Sequence, residues 1–274
     1  MKTIGDIGEF GLIRQLAKHI PHAGDDCAVL PGGMLLTCDP VIEGIHYLPA
    51  TPPYRVGWKA MARNLSDIAA MAGEPLYAVV SLGLRKRTPV RYVTELYRGM
   101  RAVAGKFGCK IVGGDTAHVR GAEFIVVTLV GQVDRPVLRS GAKPGDIVFV
   151  TGKLGGSFQS GKHLTFTPRI REARQVAPHA HAMMDISDGL ASDLQRLVEA
   201  SQVGFEIFSS KIPGKLPGAL TDGEDFELLF TVAPRHAGKL RKKFHEIGRV
   251  IKQPVILLDG QPLHAHGYDH FLAR

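Results

Sequence analysis

The chain has 274 residues, 45% of them apolar and 22% charged, with a formal net charge of +8. This composition is typical of a globular protein with a sizeable core, and it excludes collagen-like and low-complexity chains. No apolar run approaches the roughly 18 residues of a membrane span, and no secretory signal is visible. The three cysteines lack Cys-x-x-Cys spacing, which argues against a disulfide framework or a thiolate zinc site, so we expect a protein of the reducing cytoplasm. The basic runs at 85–87 and 241–243 have no interleaved aromatic residues and are typical of solvated surface, so no nucleic-acid partner is expected.

The first half of the chain shows helical and strand patterns in turn. Apolar residues recur at helical spacing in three segments, which predicts helices over 9–19, 54–71 and 90–107. Short apolar runs between turn signals predict strands over 34–38, 77–84, 110–112 and 123–133. Residues 124–130 are apolar on both faces, so this strand needs cover on both sides.

Residues 134–145 hold two prolines and two glycines and form the best domain boundary in the chain. We therefore expect two domains, residues 1–136 and residues 137–274. In the second domain the patterns predict strands over 147–151, 183–186, 227–232 and 250–258, and helices over 168–176, 187–201 and 235–247. Strands and helices mix without strict βαβ alternation, so the fold class is predicted as α+β.

Acidic residues recur beside Gly, Ser or Thr where predicted strands end. The motifs are Gly24-Asp25-Asp26, Thr37-Cys38-Asp39, Ser66-Asp67, Gly113-Gly114-Asp115-Thr116, Asp185-Ile186-Ser187-Asp188-Gly189 and Gly223-Glu224-Asp225. A single motif of this kind is more typical of a helix cap or a turn than of a ligand site. If several converge, their carboxylates repel and raise one another's pKa, and divalent cations relieve that repulsion. Carboxylate and hydroxyl oxygens without a His/Cys cluster favour Mg²⁺ over zinc or iron.

Three common nucleotide and hydrolase signatures are missing from the sequence. It contains no Gly-x-x-x-x-Gly-Lys-Ser/Thr, no Gly-x-Gly-x-x-Gly after a strand and no Gly-x-Ser-x-Gly. A P-loop NTPase, a dinucleotide-binding fingerprint and a hydrolase nucleophile elbow therefore find no support.

Taken in order, the acidic motifs resemble those of the thiamine-monophosphate kinases, relatives of aminoimidazole ribonucleotide synthetase and selenophosphate synthetase. The resemblance covers nearly the whole chain, including the tail Gly267-Tyr268-Asp269-His270-Phe271. Its more specific elements are Glu43-Gly44-Ile45-His46 and Gly223-Glu224-Asp225-Phe226-Glu227-Leu228. It implies two α/β domains with a cleft between them, a homodimer whose N-terminal sheets pair, and direct in-line transfer of the ATP γ-phosphoryl group to thiamine monophosphate. Two alternatives stay open: another ATP-dependent enzyme of the superfamily, or a non-catalytic nucleotide-binding paralogue.

The resemblance also implies roles for individual residues. Several Mg²⁺ ions would be held by Asp26, Thr37, Cys38, Asp39, Asp67, Asp115, Asp185 and Asp188. ATP would contact Gly114, Asp115, Arg139 and Ser187. Thiamine monophosphate would contact His46 and Glu224.

The sequence departs from the family pattern at three places. Cys38 replaces a usual Thr, so only its carbonyl oxygen is left as a ligand. The segments before Asp185 and before Gly223 are shorter than usual. In some members a Trp precedes the final motif and lies against the substrate, whereas here the position is Ala265, and Tyr268 is the candidate to replace it.

Overall fold

The computed structural model describes residues 2–20 and 23–271. Within them the first half of the chain contains three α-helices and five strands: α1 (Gly8–Leu16), β1 (Ala28–Leu30), β2 (Met34–Ile42), α2 (Pro53–Ala70), β3 (Glu74–Leu84), α3 (Val90–Lys106), β4 (Lys110–His118) and β5 (Phe124–Gln132). The second half contains β6 (Ile147–Val150), α4 (Ser157–Ser160), α5 (Ile170–Val176), β7 (Ala180–Asp185), α6 (Leu190–Ser201), β8 (Gly204–Ile207), α7 (Gly218–Thr221), β9 (Leu228–Val232), α8 (Pro234–Leu240), β10 (His245–Ile251), β11 (Ile256–Leu258) and β12 (Gln261–Pro262). The α+β fold class is confirmed.

The five strands of the first half form one sheet in the order β1-β2-β5-β3-β4. Strands β3 and β4 run parallel, and the other neighbours are antiparallel. Alternate side chains of β5 are buried on the face that packs against α2, whereas the side chains between them are half-buried. We call this second face the outward face; Met34, Cys38, Tyr77 and Val79 are exposed on it.

Helix α2 lies between the two halves and connects their cores. It packs against α3 and β2 of the first half and against α5 and β7 of the second. Its contact with α3 is unusually close, because a Cβ atom at Gly57 would lie 2.0 Å from the carbonyl oxygen of Leu96. Only glycine fits at that position. The helix therefore holds its polar residues at a fixed place relative to both sheets.

The second half forms a seven-stranded sheet in the order β12-β11-β8-β10-β6-β9-β7. Strand β7 is an edge strand that ends at Asp185, and α6 begins five residues later at Leu190. The turn between them, residues 186–189, contains Gly189 at φ 104°, a left-handed conformation that favours glycine. This turn lies beside α2 and contributes to the candidate site.

The structure confirms most of the predicted elements. The strands predicted over 34–38 and 110–112 continue to Ile42 and His118, so Asp39 and Asp115 lie within strands and not after them. Two further predictions are wrong. The helix predicted over 235–247 is wrong, because α8 ends at Leu240 and β10 begins at His245. The apolar spacing of Leu240, Phe244 and Ile247 imitates a helix, but pairing of β10 with both β6 and β8 in the sheet overrides it. The strand predicted over 250–258 is two strands, interrupted around Pro254, which cannot donate a ladder hydrogen bond. No helix within residues 2–20 and 23–271 is both long and apolar enough to cross a membrane.

Candidate active site

Carboxylates from distant parts of the chain meet where α2 contacts the second half. Asp26 precedes β1, Asp67 lies on α2, and Asp185 ends β7. Each offers one oxygen atom, and these oxygens lie within 4.8 Å of one another. Asp39 on β2 lines the same cavity of about 300 Å³. We call these four residues the acidic cluster.

Burial and mutual repulsion raise the pKa values of two members of the acidic cluster. Burial raises the pKa of Asp67 well above its usual range, and the charges of Asp39 and Asp185 add to that shift. Burial, followed by the charge of Asp26, raises the pKa of Asp185 to about 7. Ionisation of these two carboxyl groups is therefore unfavourable unless a cation binds beside them. The oxygen donors fit a hard divalent cation such as Mg²⁺.

Hydroxyl groups and one arginine orient the acids. The Thr37 hydroxyl donates a hydrogen bond to Asp67, and the Ser66 hydroxyl donates to Asp185 at 2.6 Å. The Asp39 carboxylate lies 3.3 Å from Nε of Arg63. Sequence reasoning missed Ser66 as a functional residue, although it immediately precedes Asp67 in the motif.

The Cys38 side chain lies away from the acidic cluster. Its Sγ atom accepts a hydrogen bond from the Thr128 hydroxyl at 3.3 Å, on the outward face of the sheet. Because successive side chains of a strand point to opposite faces, Thr37 and Asp39 lie on the other side. Only the main-chain carbonyl of Cys38 is therefore available as a ligand on the side of the acidic cluster.

Arg139 connects the acidic cluster to the segment that joins the two halves. Its Nη2 and Nε atoms lie 2.9 and 3.2 Å from the two carboxylate oxygens of Asp26, and its backbone N–H donates to Asp25 at 2.7 Å. The guanidinium is mostly buried. A bidentate pair of this kind fixes the orientation of both groups.

The turn after β7 is held by a second buried ion-pair network. Arg196 on α6 donates to the Asp188 carboxylate and, at 3.0 Å, to Asp193. The backbone N–H of Asp188 donates to Asp193 at 3.2 Å. Asp188 and Ser187 line the cavity of the acidic cluster and also the cavity beside it.

That neighbouring cavity has a volume of about 330 Å³, and we call it the second pocket. Its size falls within the usual range for small-molecule sites. It shares with the acidic cavity the residues Arg63, Ser187, Asp188, Phe226 and His270. The two cavities are therefore adjacent, so a ligand in each could place reacting groups near the shared wall.

His46 lines the second pocket as a neutral hydrogen-bond donor. Its Nδ1 accepts from the backbone N–H of Ile42 at 3.1 Å, which leaves the proton on Nε2. Burial, and then the charges of Arg63 and Lys59, lower the pKa of His46 to about 3. At neutral pH the imidazole offers an N–H group and no charge.

Lys59 is the residue that sequence reasoning missed altogether. Its ammonium group is fully buried, donates to the His46 carbonyl at 2.6 Å and lies 2.6 and 2.7 Å from the two carboxylate oxygens of Glu224. Burial lowers the pKa of Lys59 to about 8, although Glu224 acts in the opposite direction. The signal was present in the sequence, because Lys59 lies three residues from Val56 and from Ala62 on the apolar face of α2.

The loop that carries Glu224 has an unusual backbone. Glu224 and Phe226 adopt left-handed φ values of 65° and 51°, which non-glycine residues seldom do. The backbone N–H of Glu224 donates to the carbonyl of Ser187 at 2.7 Å, and that of Phe226 donates to Ile186 at 2.8 Å. The loop is thus fixed to the turn after β7. Such conformations are often found at functional sites.

Tyr268 lies in the C-terminal segment that borders the second pocket. Its backbone N–H donates to the carbonyl of Asp188 at 2.8 Å, and its ring meets the His270 ring edge-on at 4.8 Å. His270 in turn lies 5.3 Å from the His46 ring. The structure thus brings three expected substrate contacts, His46, Glu224 and Tyr268, to one pocket.

Gly114 and Asp115 are not brought to the acidic cavity within one chain. Both lie on β4, the exposed edge of the first sheet, and strand pairing aligns Gly114 with Val80, Val127 and Asp39. Three strand spacings, about 14 Å, therefore separate β4 from β2. Asp115 pairs with Ser81, which places its side chain on the outward face, opposite to that of Asp39.

Comparison with known families matches both halves of the chain. Residues 24–133 match the family AIR synthase related protein, N-terminal domain, and residues 143–258 match AIR synthase related protein, C-terminal domain. The thiamine-monophosphate kinase of Aquifex aeolicus (strain VF5) is 36% identical to the chain, covering 97% of it and 99% of the relative. That of Methanospirillum hungatei JF-1 is 39% identical, covering 90% and 92%.

Solved structures show the same relationship. The structure of AaThiL complexed with AMPPCP and TMP is 34% identical and superimposes with a TM-score of 0.92, covering 98% of this chain and 99% of that one. Thiamine-monophosphate kinase from Stenotrophomonas maltophilia K279a gives a TM-score of 0.78 at 27% identity, covering 92% and 96%. The hydrogenase maturation protein HypE, at 20% identity and a TM-score of 0.71, covering 89% and 92%, shares the fold alone.

Proposed function

The chain belongs to the thiamine-monophosphate kinases of the AIR synthase related family, and we propose that it transfers the γ-phosphoryl group of ATP to thiamine monophosphate. The observation that carries this proposal is the common wall between the acidic cavity and the second pocket. A nucleotide beside the acidic cluster and an acceptor in the second pocket would meet at Ser187 and Asp188. The relative AaThiL was solved with a nucleotide analogue, AMPPCP, together with TMP.

On the nucleotide side, the acidic cluster would hold Mg²⁺. The donor set consists of the cluster carboxylates with Thr37, the Cys38 carbonyl and Asp188 at its border. When bound, Mg²⁺ neutralises and orients the phosphate groups of ATP. Arg139, fixed by Asp26, and Ser187 would contact the nucleotide.

On the acceptor side, the second pocket would bind thiamine monophosphate by neutral donors and a fixed carboxylate. His46 would donate its Nε2–H to a phosphate oxygen, and Glu224 would accept from the amino group of the pyrimidine ring. Tyr268 would border the same ligand. The salt bridge from Lys59 keeps Glu224 in place before the substrate arrives.

The chemical step needs no protein base. The attacking oxygen of the acceptor phosphate is ionised near neutral pH, so the site has only to position it in line with the γ-phosphoryl group. His46 could not remove a proton in the usual way, because its Nδ1 is engaged and its Nε2 is protonated. We propose direct transfer without a covalent intermediate.

We also propose that the chain forms a homodimer through residues 1–136, the first of two domains that divide near residue 136. The outward face of the first sheet exposes apolar side chains, with Tyr77 50% and Val79 42% exposed. A second copy on this face would bury them and would bring Asp115, exposed on the same face, into an interface.

Mixing two inactive variants tests this arrangement. Asp67→Asn and Asp115→Asn are each expected to be inactive as homodimers. If Asp115 completes the site of the partner, co-expressed chains should recover activity in mixed dimers. A monomeric mass at micromolar concentration would refute the dimer. Full activity of Asp115→Asn alone would remove that residue from the site.

The proposed reaction is tested by incubating the purified chain with ATP, thiamine monophosphate and Mg²⁺ and following thiamine diphosphate. We expect product with Mg²⁺, none when a chelator is present, and none when unphosphorylated thiamine replaces the acceptor. ATP consumption without thiamine diphosphate would contradict the proposed acceptor. A chain that binds ATP but neither hydrolyses it nor forms thiamine diphosphate would support the non-catalytic nucleotide-binding alternative.

A further inference from the structure

Phe158 is an exposed aromatic residue at the wall of the second pocket. It lies on α4, a four-residue helix between Gly156 and Gly161, which both adopt left-handed φ values of 74° and 73°. Its side chain is 54% exposed, although burying an aromatic ring is favourable. The ring borders the cavity together with Ile45 and Gln159.

One face of the Phe158 ring is already covered. The His163 ring stacks on it with 4.7 Å between ring centroids and 22° between planes. His163 is buried, and its Nδ1 lies 3.0 Å from the carbonyl oxygen of Ser157. The imidazole therefore acts as a fixed support, and the phenyl ring can use its other face for a ligand without first becoming ordered.

The remaining walls of the second pocket suit a flat ligand with a polar end. Aromatic rings of His46, Tyr268 and His270 border the cavity, and Ser187 and Asp188 lie toward the acidic cluster. A ligand that fills the cavity would thus place its rings near Phe158 and its phosphate near the cluster.

We propose that Phe158 is a specificity-determining residue that stacks on the aromatic rings of the acceptor. The inference rests on the proposed function, because thiamine monophosphate carries a flat aminopyrimidine and a cationic thiazolium. A phenyl face attracts a cation and stacks on a flat ring. The only tryptophan cannot take this role: the indole N–H of Trp58 donates to the carbonyl of Phe166 at 2.7 Å inside the core.

The test compares Phe158→Leu, which keeps an apolar side chain without the π-face, with Phe158→Tyr, which keeps the ring. We expect Phe158→Leu to raise the KM for thiamine monophosphate about fivefold to tenfold and to leave the KM for ATP unchanged. Phe158→Tyr should stay within twofold of the wild type. Phe208→Leu is the matched control, a half-exposed phenylalanine of the same half outside the second pocket.

A second acceptor substrate distinguishes loss of ring stacking from a general loss of activity in Phe158→Leu. A neutral thiazole phosphate lacks both the pyrimidine ring and the positive charge, so Phe158→Leu should affect its kcat/KM little and reduce the preference for thiamine monophosphate. An unchanged KM for thiamine monophosphate in a folded Phe158→Leu protein would overturn the inference, as would equal losses for both acceptors.

Calorimetric titration with thiamine monophosphate, without ATP, keeps this inference distinct from the proposed reaction. If the wild type binds the ligand but forms no thiamine diphosphate, the proposed function fails while the stacking role is decided by the affinity of Phe158→Leu. If the wild type does not bind the ligand, both fail.

Discussion

The two adjoining cavities differ in how the charges of their side chains are balanced. In the acidic cavity the carboxylates outnumber the cations that contact them, and the pKa of Asp67 and of Asp185 is raised. In the second pocket the carboxylate of Glu224 is paired with the buried ammonium group of Lys59, and His46 is neutral. The acidic cavity is thus incomplete without a cation from solution, whereas the second pocket is preorganised by the chain itself. Variants should therefore change turnover and metal dependence on one side and acceptor affinity on the other.

The largest effect is expected for Asp67→Asn. It removes a charge from the centre of the acidic cluster at almost constant volume, so kcat should fall by roughly 100-fold or more because several kcal/mol of metal-assisted stabilisation is lost. The melting temperature without Mg²⁺ should stay the same or rise, because a repelling carboxylate is gone. Steady-state kinetics and thermal melts measure both. Asp134→Asn, an exposed acid outside both cavities, is the control; a folded Asp67→Asn protein with near wild-type kcat would place the metal elsewhere.

Lys59→Met should produce the next largest effect, on the acceptor side. It leaves Glu224 without its buried partner, and breaking such a pair costs about 3–5 kcal/mol, less here because Glu224 is partly exposed. We expect the KM for thiamine monophosphate to rise on the order of 100-fold, with the KM for ATP nearly unchanged.

A double variant shows whether Lys59 positions Glu224 for the acceptor or only stabilises the folded chain. Adding Glu224→Gln removes the orphaned charge, so Lys59→Met/Glu224→Gln should recover stability to urea but not acceptor affinity. Lys239→Met, an exposed lysine on α8, is the control. Equal rises in both KM values, or recovery of acceptor affinity in the double variant, would contradict a positioning role.

His46→Ala is expected to have a smaller effect of the same kind. Loss of one hydrogen bond to a charged phosphate oxygen costs about 1.5–3 kcal/mol, which corresponds to a KM for thiamine monophosphate raised on the order of tenfold or more. The ratio of the variant KM to the wild-type KM should stay constant between pH 6 and pH 8, because the pKa of His46 is lowered to about 3 and the imidazole carries no charge there. A ratio that grows toward pH 6 would show that the imidazolium binds the phosphate.

The contrast between the cavities also explains what the sequence could and could not reveal. The members of the acidic cluster lie in recognisable motifs, and the structure brings Asp26, Asp39, Asp67 and Asp185 together, although only Asp185 lies at the end of a strand. Lys59 has no motif of its own, since its role depends on a loop 165 residues away. Asp115 sits in an equally clear motif, yet the register of β4 places it on the outward face. Motifs identify the residues that can carry the chemistry, whereas strand register and long-range contacts decide which of those residues lie together in the folded chain.

The smallest expected effect is the pH dependence of stability without metal. The pKa of Asp185 is about 7 in the folded chain and close to 3.8 in the unfolded chain, so between these values the folded state binds more protons. Its contribution to stability is therefore fully present below about pH 4 and is lost as the pH rises through 7. The melting temperature without Mg²⁺ should fall by a few degrees from pH 6 to pH 8.

Mg²⁺ should reverse this trend, because it favours the ionised acids and must displace a proton from Asp185 at pH 6. Thermal melts of wild type and Asp185→Asn, with Mg²⁺ and with a chelator, test this. Asp185→Asn should lack much of the pH dependence, and a Mg²⁺ stabilisation as large at pH 6 as at pH 8 would show that the cation binds away from the raised carboxylates.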